Sequence, residues 1–252
     1  MKIFADILEK FKKNQKVFLT VSVAVLTLSA FAFVAYGKIS EHINEKTENK
    51  LPETRTVILD AGHGGEDGGA VSEDGIIEKD INLSIALKLR DILEASGYNV
   101  IMTREKDIAI YDDDAETLRA KKRSDLHNRL DIIEKNSGEG TVFVSIHQNK
   151  FPDPKYHGTQ IFYSKHDPKS MDLATSVRKS VIGFLQPDNE REIKEANKKI
   201  YLLNNAQIPA IVVECGFLSN PEECDKLSDK NYQSEMVFSI YCGLMEYFCN
   251  NV

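Results

Sequence analysis

Two histidines and two glutamates stand at positions where an enzyme could use them. His63 follows an apolar run and lies in a segment with five glycines within eight residues. His147 ends a second apolar run, and Glu214 ends the most apolar run of the chain. Burying an ionised carboxylate there is costly unless it is paired or protonated. Together with Glu78, at the start of a predicted helix, these residues predict one shared site.

The chemistry of such a set is metal-assisted hydrolysis. Two imidazoles and one carboxylate form a common catalytic zinc set with one coordination position left for water. A second carboxylate then serves as the proton carrier. Taken singly, Glu78 also has a structural explanation, since an acid at a helix N-terminus is favoured by the helix dipole, and a lone histidine after a strand is more often a hydrogen-bonded structural residue than a ligand. The glycine-rich segment has neither the G-K-[ST] of a P-loop nor a G-x-G-x-x-G opening a helix.

Strands that alternate with helices must position these residues. Short runs rich in β-branched and aromatic residues predict strands, and runs with helical periodicity predict helices. The predicted strands are Thr56–Leu59, Asn99–Met102, Thr141–Ile146, Gln160–Tyr163 and Ala210–Val213, and the predicted helices are 80–96, 118–135, 168–185 and 232–249. This order predicts an α/β fold, a single domain with a largely parallel twisted sheet flanked by helices on both faces.

The first part of the chain differs in composition. Residues 17–36 form an uncharged, mostly apolar run behind five lysines, which is long enough to span a bilayer as a helix. Residues 30–32 also resemble the cleavage site of a secretory signal, so a membrane-spanning anchor and a cleaved signal both stay open. The apolar residues 33–36, which follow that site, favour an uncleaved anchor. We predict a signal or transmembrane anchor over 1–37, a polar linker over 38–55, and an exported catalytic domain over 56–252.

The net charge and the cysteine content exclude several classes of function and of site. The formal net charge of −7 argues against nucleic acid as a partner. The four cysteines all follow position 214 and form no C-x-x-C pair, so neither a zinc ribbon nor a thioredoxin-like site is predicted. Cys215 next to Glu214 leaves open a thiol nucleophile. Cys242 and Cys249 are predicted on the buried face of the last helix.

The remaining histidines of the catalytic part are weaker candidates for ligands. His127 lies in a charged helix, and His157 and His166 lie in polar segments between elements. We predict that these three are surface residues.

Four segments in this order resemble a known family. Residues 59–70 (LDAGHGGEDGGA), 78–83 (EKDINL), 145–149 (SIHQN) and 213–223 (VECGFLSNPEE) are similar to motifs of the zinc-dependent N-acetylmuramoyl-L-alanine amidases of the bacterial cell wall. The resemblance covers the chain from about residue 56 to its end. Within that family, the predicted anchor, the lack of wall-binding repeats and the segment 151–160 look most like the short germination-specific amidases of the spore cortex.

The resemblance implies roles for individual residues. It makes His63, Glu78 and His147 the ligands of one Zn²⁺ and Glu214 the catalytic acid/base, with Asn149 a candidate for substrate binding. Relatives commonly have small residues on either side of the position of Asn149, whereas this chain has Gln148 and Lys150. This difference concerns the contacts with substrate and leaves the three metal ligands unchanged.

The implied reaction cleaves the amide bond between the lactyl group of N-acetylmuramic acid and L-alanine, before muramic-δ-lactam formation. The implied partners are peptidoglycan strands with stem peptides, the membrane through residues 17–36, and a regulatory or activating protein.

Three other functions fit parts of the same pattern. One is a general cell-separation amidase, and another is a zinc peptidase that cuts within the stem peptide. The third is a non-catalytic wall-binding or partner-activating module on the same fold. Loss of a ligand or of Glu214 would favour that module, and all four residues are present.

Overall fold

The fold is described for residues 55–251, in a computed structural model. This range forms one α/β domain, as predicted. Its strands are β1 (Thr56–Ala61), β2 (Asn99–Met102), β3 (Thr141–Asn149), β4 (Gln160–Tyr163), β5 (Lys194–Glu195) and β6 (Ala210–Phe217). Its helices are α1 (Glu78–Ala95), α2 (Leu118–Lys135), α3 (Lys169–Phe184), α4 (Pro221–Ser228) and α5 (Lys230–Asn250).

The strands form one sheet in the order β2-β1-β3-β6-β4-β5. β1 pairs in parallel with β2 and β3, and β3 pairs in parallel with β6. β4 runs antiparallel to β6 and pairs in parallel with β5. The sheet is therefore mixed: four of its five strand pairings are parallel, as the predicted largely parallel sheet requires, and the pairing of β4 with β6 is antiparallel. Because β3 and β4 are joined without a helix, the chain turns back and does not make a parallel crossover.

The two faces of the sheet carry different layers. Alternate residues of a strand point to opposite faces. Val57 and Leu59 pack into the larger apolar core with α1, α3 and α5. Ile58 and Phe143 pack into a smaller core with Ile133 of α2 and apolar residues from 196–208. Helices thus flank both faces, as the apolar strands predict.

Some elements extend past their predicted ends, and two were not predicted. β3 and β6 continue to Asn149 and Phe217, so His147 and Glu214 lie inside paired strands. The two-residue β5 is too short to leave a pattern. α4 begins at a local signal, because the Asn220 side chain accepts a hydrogen bond from the Glu223 amide (3.0 Å) and proline occupies the first turn.

The prediction for the last helix is wrong. Cys242 is half-buried and Cys249 is exposed, and Phe238, one helical turn before Cys242, is 48% exposed. All four cysteines are free thiols. The buried apolar residues of α5 are Met236, Val237, Ile240, Leu244, Tyr247 and Phe248. Since α5 carries apolar residues around most of its circumference, its packing against α1 and α3 decides which face is buried.

No helix between residues 55 and 251 is both long enough and apolar enough to cross a membrane. The predicted membrane segment at residues 17–36 and nearly all of the predicted linker lie outside the described residues.

Candidate active site

The candidate residues meet at one edge of the sheet. β1, β3 and β6 are adjacent and parallel, so their carboxyl ends lie side by side. This is the edge at which open α/β sheets bind ligands. His63 follows β1, and His147 is the register partner of Glu214 across β3 and β6. Glu78 is the first residue of α1.

Three of the four predicted residues form a compact cluster. One ligand atom from each of His63, Glu78 and His147 lies within 4.8 Å of the others. Glu78 Oε1 is 3.3 Å from His63 Nε2 and 2.9 Å from His147 Nδ1. Two imidazole nitrogens and a carboxylate oxygen therefore converge, which is a donor set for a divalent transition metal.

Two glycines let these side chains approach the backbone. A Cβ on Gly62 would lie 2.2 Å from His147 Nε2. A Cβ on Gly69 would lie 2.5 Å from Glu78 Oε2 and 2.6 Å from His63 Cδ2, and Gly69 has a φ of 70°. Any larger residue would displace the cluster, so the glycine-rich segment provides space for it.

The ring nitrogen of His63 that does not face Glu78, Nδ1, is here called its outer nitrogen, and it is fixed by the carboxylate of Asp67. His63 Nδ1 is 2.9 Å from Asp67 Oδ2, which leaves Nε2 facing Glu78. Burial would lower the pKa of His63, but hydrogen bonds and charge from Asp67 and Glu78 outweigh it and raise the pKa to about 9. A carboxylate that holds the outer nitrogen is a typical support for a metal-binding histidine.

Glu78 is held on both carboxylate oxygens. Oε2 accepts from the Ala70 amide (2.7 Å), and Oε1 accepts from the Gln148 amide (3.1 Å) and Asn82 Nδ2 (3.3 Å). Burial would raise the pKa of this carboxyl group, but the two histidines outweigh burial and hold it well below its usual range. Glu78 is therefore a fixed negative charge.

Glu214 has the opposite surroundings. Its Oε2 atom is buried and has no hydrogen-bond partner among the described residues. Burial raises the pKa of Glu214 to about 7, against the opposing charge of His147. A carboxyl group that titrates near neutrality can both accept and donate a proton.

Cys215 does not share this environment. It has 0% exposure and belongs to the larger apolar core. Burial raises the pKa of its thiol to about 12. A buried, protonated thiol is a poor nucleophile, so these properties argue against the thiol hypothesis.

The other predicted positions lie outside the cluster. Asn149 ends β3, is half-buried, and uses its carbonyl to accept from the Leu218 amide (2.8 Å). Its predicted role in substrate binding stays a prediction. His127, His157 and His166 are exposed, as predicted.

Several residues that support the cluster were not identified from the sequence. Asp67 lies four residues after His63, a spacing that could have indicated it. Asn82 lies one helical turn after Glu78, and its side chain also accepts from Gln148 Nε2 (3.1 Å). Gln148, noted above as a departure from relatives, thus supports Glu78 through its amide and through Asn82. Arg129, which donates to the carbonyl of His63 (2.7 Å), is distant in sequence and gave no signal.

Known proteins share this motif set and this fold. Residues 57–246 match the family model of N-acetylmuramoyl-L-alanine amidases. The germination-specific N-acetylmuramoyl-L-alanine amidase of Bacillus subtilis (strain 168) is 35% identical over 200 residues, which cover 77% of this chain and 80% of that protein.

Solved structures of amidases have the same fold as this chain. The CwlD amidase of Clostridioides difficile, solved in complex with the GerS lipoprotein, is 43% identical with a TM-score of 0.74, covering 78% of this chain and 99% of that one. An N-acetylmuramoyl-L-alanine amidase from Clostridium difficile 630 is 30% identical with a TM-score of 0.68, covering 79% of this chain and 99% of that one. The chain therefore belongs to the N-acetylmuramoyl-L-alanine amidase family and is an amidase of peptidoglycan, as its motifs predict.

Proposed function

We propose that this amidase is zinc-dependent and acts on spore cortex. It hydrolyses the amide bond between the lactyl group of N-acetylmuramic acid and the L-alanine of the stem peptide. The observation that carries the zinc assignment is the convergence of His63, Glu78 and His147 within 4.8 Å. We assign these three residues as the ligands of one Zn²⁺.

The residues present fit zinc. Two imidazoles and one carboxylate match the donor set of catalytic zinc sites. Asp67 engages the outer nitrogen of His63, and three donors hold the Glu78 carboxylate, so the ligands are oriented before any metal binds. Bound zinc would supply a Lewis acid that lowers the pKa of a water molecule and polarises the amide carbonyl.

We assign the proton transfers to Glu214. It is the register partner of His147, and its pKa of about 7 suits a group that changes protonation during turnover. Glu214 accepts a proton from the attacking water and returns it to the departing amine of L-alanine. Its buried Oε2 atom has no competing donor in the described part of the chain.

The spore role rests on the relatives. The Bacillus subtilis relative is named for germination, and the Clostridioides difficile amidase was solved with a lipoprotein partner. We propose that this chain likewise binds a regulatory protein and acts outside the cytoplasm, anchored through residues 1–37. Its product is glycan with unsubstituted muramic acid, which a further enzyme converts to the δ-lactam.

Metal analysis and product analysis test the chemistry. We expect about one zinc per wild-type chain and loss of zinc in His63→Ala and His147→Ala. Mass spectrometry of digested peptidoglycan should show stem peptides with a free L-alanine amine. Equal zinc content in the variants would contradict the ligand assignment. Cleavage within the stem peptide would show a zinc peptidase, and no cleavage in the presence of zinc and a partner would favour a non-catalytic module.

Gene deletion tests the biological role. We expect normal vegetative growth, and spores that lack muramic-δ-lactam and fail to degrade their cortex at germination. Chains of unseparated cells with normal lactam content would instead show a general cell-separation amidase.

A further inference from the structure

His63 has an unusual backbone conformation. Its φ is 63°, and it is the only non-glycine residue with a positive φ among residues 55–251. Such a conformation is sparsely populated by residues with a side chain, and it persists when the surrounding structure holds it. The loop that carries a candidate metal ligand therefore needs support from outside its own sequence.

Two buried arginines supply contacts to this loop. Arg129 donates to the carbonyl of His63 through Nη2 (2.7 Å) and to that of Ala61 through Nη1 (2.9 Å). Arg104 donates to the carbonyls of Ala61 through Nε (2.8 Å) and Gly62 through Nη2 (3.1 Å). Three successive carbonyls are thus held, and Arg129 is the arginine that reaches His63 itself.

Arg129 is itself fixed from several sides. Its side chain is 2% exposed and forms ion pairs with Asp60 and with Asp125 Oδ2 (2.6 Å). Asp60 in turn accepts from Thr103 (2.7 Å) and Ser145 (2.5 Å). The network joins β1, β3, α2 and the segment after β2 behind the ligand loop.

Anchoring of α2 does not explain this network. The buried residues of α2 are Arg129 and Ile133. Apolar residues would anchor a helix without the desolvation cost of a buried ion pair. A planar guanidinium can reach the carbonyls of residues 61 and 63 together, whereas a lysine ammonium is a point charge on a flexible stem. The buried guanidinium of Arg129 is therefore better explained by a need to hold the carbonyls of residues 61 and 63 in fixed positions.

We propose that Arg129 is a positioning residue that holds the backbone of His63 in its left-handed conformation and so sets Nε2 of His63 at its place beside Glu78. This inference rests on the proposed zinc site. Arg129 does not contact the ligand side chains, and it acts through the main chain.

The test compares two conservative substitutions in the purified full chain. Arg129→Lys keeps the positive charge but loses the planar guanidinium that donates to two carbonyls at once. Arg178→Lys is the matched control. Arg178 also donates to a backbone carbonyl, that of Arg191 (2.6 Å), and pairs with Glu192, without contact to the ligands. Chelator competition should show about 10- to 100-fold weaker zinc affinity in Arg129→Lys and unchanged affinity in Arg178→Lys.

A second measurement needs no metal. The amides of Gly62 and Gly64 donate to the carbonyls of Ile146 and Asp67. Their hydrogen exchange in zinc-free protein should be faster in Arg129→Lys than in the control, relative to exchange in the core strands. If Arg129→Lys does not fold, Asp125→Asn, which weakens one side of the network, should show the same changes to a smaller degree.

The outcomes separate this inference from the proposed function. Unchanged zinc affinity and loop exchange in a folded Arg129→Lys or Asp125→Asn protein would overturn the positioning role, while zinc loss in His63→Ala would leave the proposed site standing. Unchanged zinc binding in His63→Ala would overturn the ligand assignment itself.

Discussion

Two glutamates at the same edge of the sheet have opposite surroundings. Glu78 is 3% exposed, and the hydrogen bonds and charge of His147 and His63 hold its pKa well below the usual range, so it stays ionised despite burial. Glu214 has a buried oxygen with no partner among the described residues, and its pKa is raised to about 7. The same residue type is thus a fixed charge in one position and a group that titrates near neutrality in the other, because neighbouring hydrogen-bond donors and charges decide which form is stable.

The backbone around the two glutamates also differs. Glu78 begins a helix next to an irregular glycine-rich segment, where the amide of Ala70 is free to donate to it. Glu214 lies inside β6 between β3 and β4, where strand amides are used by the ladders. Within the described part of the chain, Glu214 therefore has no free amide comparable to that of Ala70, and the nearby strand amide of Gln148, at the register shift in β3, donates to Glu78 instead.

The largest expected effect concerns the proton carrier. Glu214→Gln should lower the rate of amide hydrolysis by about 10²–10⁴-fold, because the amide side chain cannot carry the proton. Zinc content should equal that of the wild type, since Glu214 is not assigned as a ligand. Glu78→Gln is the matched control and should lose zinc as well as activity. Near-normal hydrolysis by Glu214→Gln would contradict the contrast between the two glutamates.

A smaller effect is expected from the support of His63. Asp67→Asn should weaken zinc affinity by about 10- to 100-fold, because the outer nitrogen loses its carboxylate partner. Glu66→Gln changes the neighbouring acid, which pairs with Lys121 and contacts neither histidine, and should leave zinc affinity unchanged. Chelator competition measures both variants. Equal affinities would show that Asp67 does not orient the ligand.

The pH dependence of stability tests the unpartnered carboxyl group directly. In zinc-free protein, Glu214 titrates near 4.5 when unfolded and about 7 when folded. Between these values the folded state binds a proton that the unfolded state lacks, so this group makes the free energy of unfolding fall as pH rises through the window. The Glu214→Gln variant lacks this titrating carboxyl group, so its free energy of unfolding should lack this part of the pH dependence.

Denaturant unfolding at pH 4.5 and at about pH 8 measures the difference. Relative to Glu214→Gln, the wild type should lose stability on the order of 1–3 kcal/mol between the two pH values. Parallel pH profiles for the two proteins would show that Glu214 is ionised in the folded state, like Glu78.

The smallest effect is expected beside the proton carrier. Cys215→Ala should keep amidase activity near that of the wild type and cost about 1 kcal/mol of stability, because the thiol is buried and protonated. Iodoacetamide should label the exposed Cys249 in native protein and not Cys215. An inactive but folded Cys215→Ala would restore the thiol hypothesis.

Local patterns in the sequence were sufficient for the strands that form the site. β1, β3 and β6 are buried on both faces, and their apolar runs are visible in the sequence. The residues that follow or end such strands meet at one edge whenever the strands are parallel, which is why His63, His147 and Glu214 could be proposed together. The buried face of α5 and the antiparallel β4 had no such local signal, since packing and strand order decide them.

The sequence by itself therefore determined the fold class, the family and the residues that we propose for the chemistry. The tertiary structure decided the states of those residues: an ionised Glu78, a Glu214 that titrates near neutrality, and a His63 carbonyl that accepts a hydrogen bond from Arg129 of α2. The physical reason is that protonation and loop conformation depend on the donors and charges within a few ångströms. Here many of those groups come from segments distant along the chain, and folding alone brings them together.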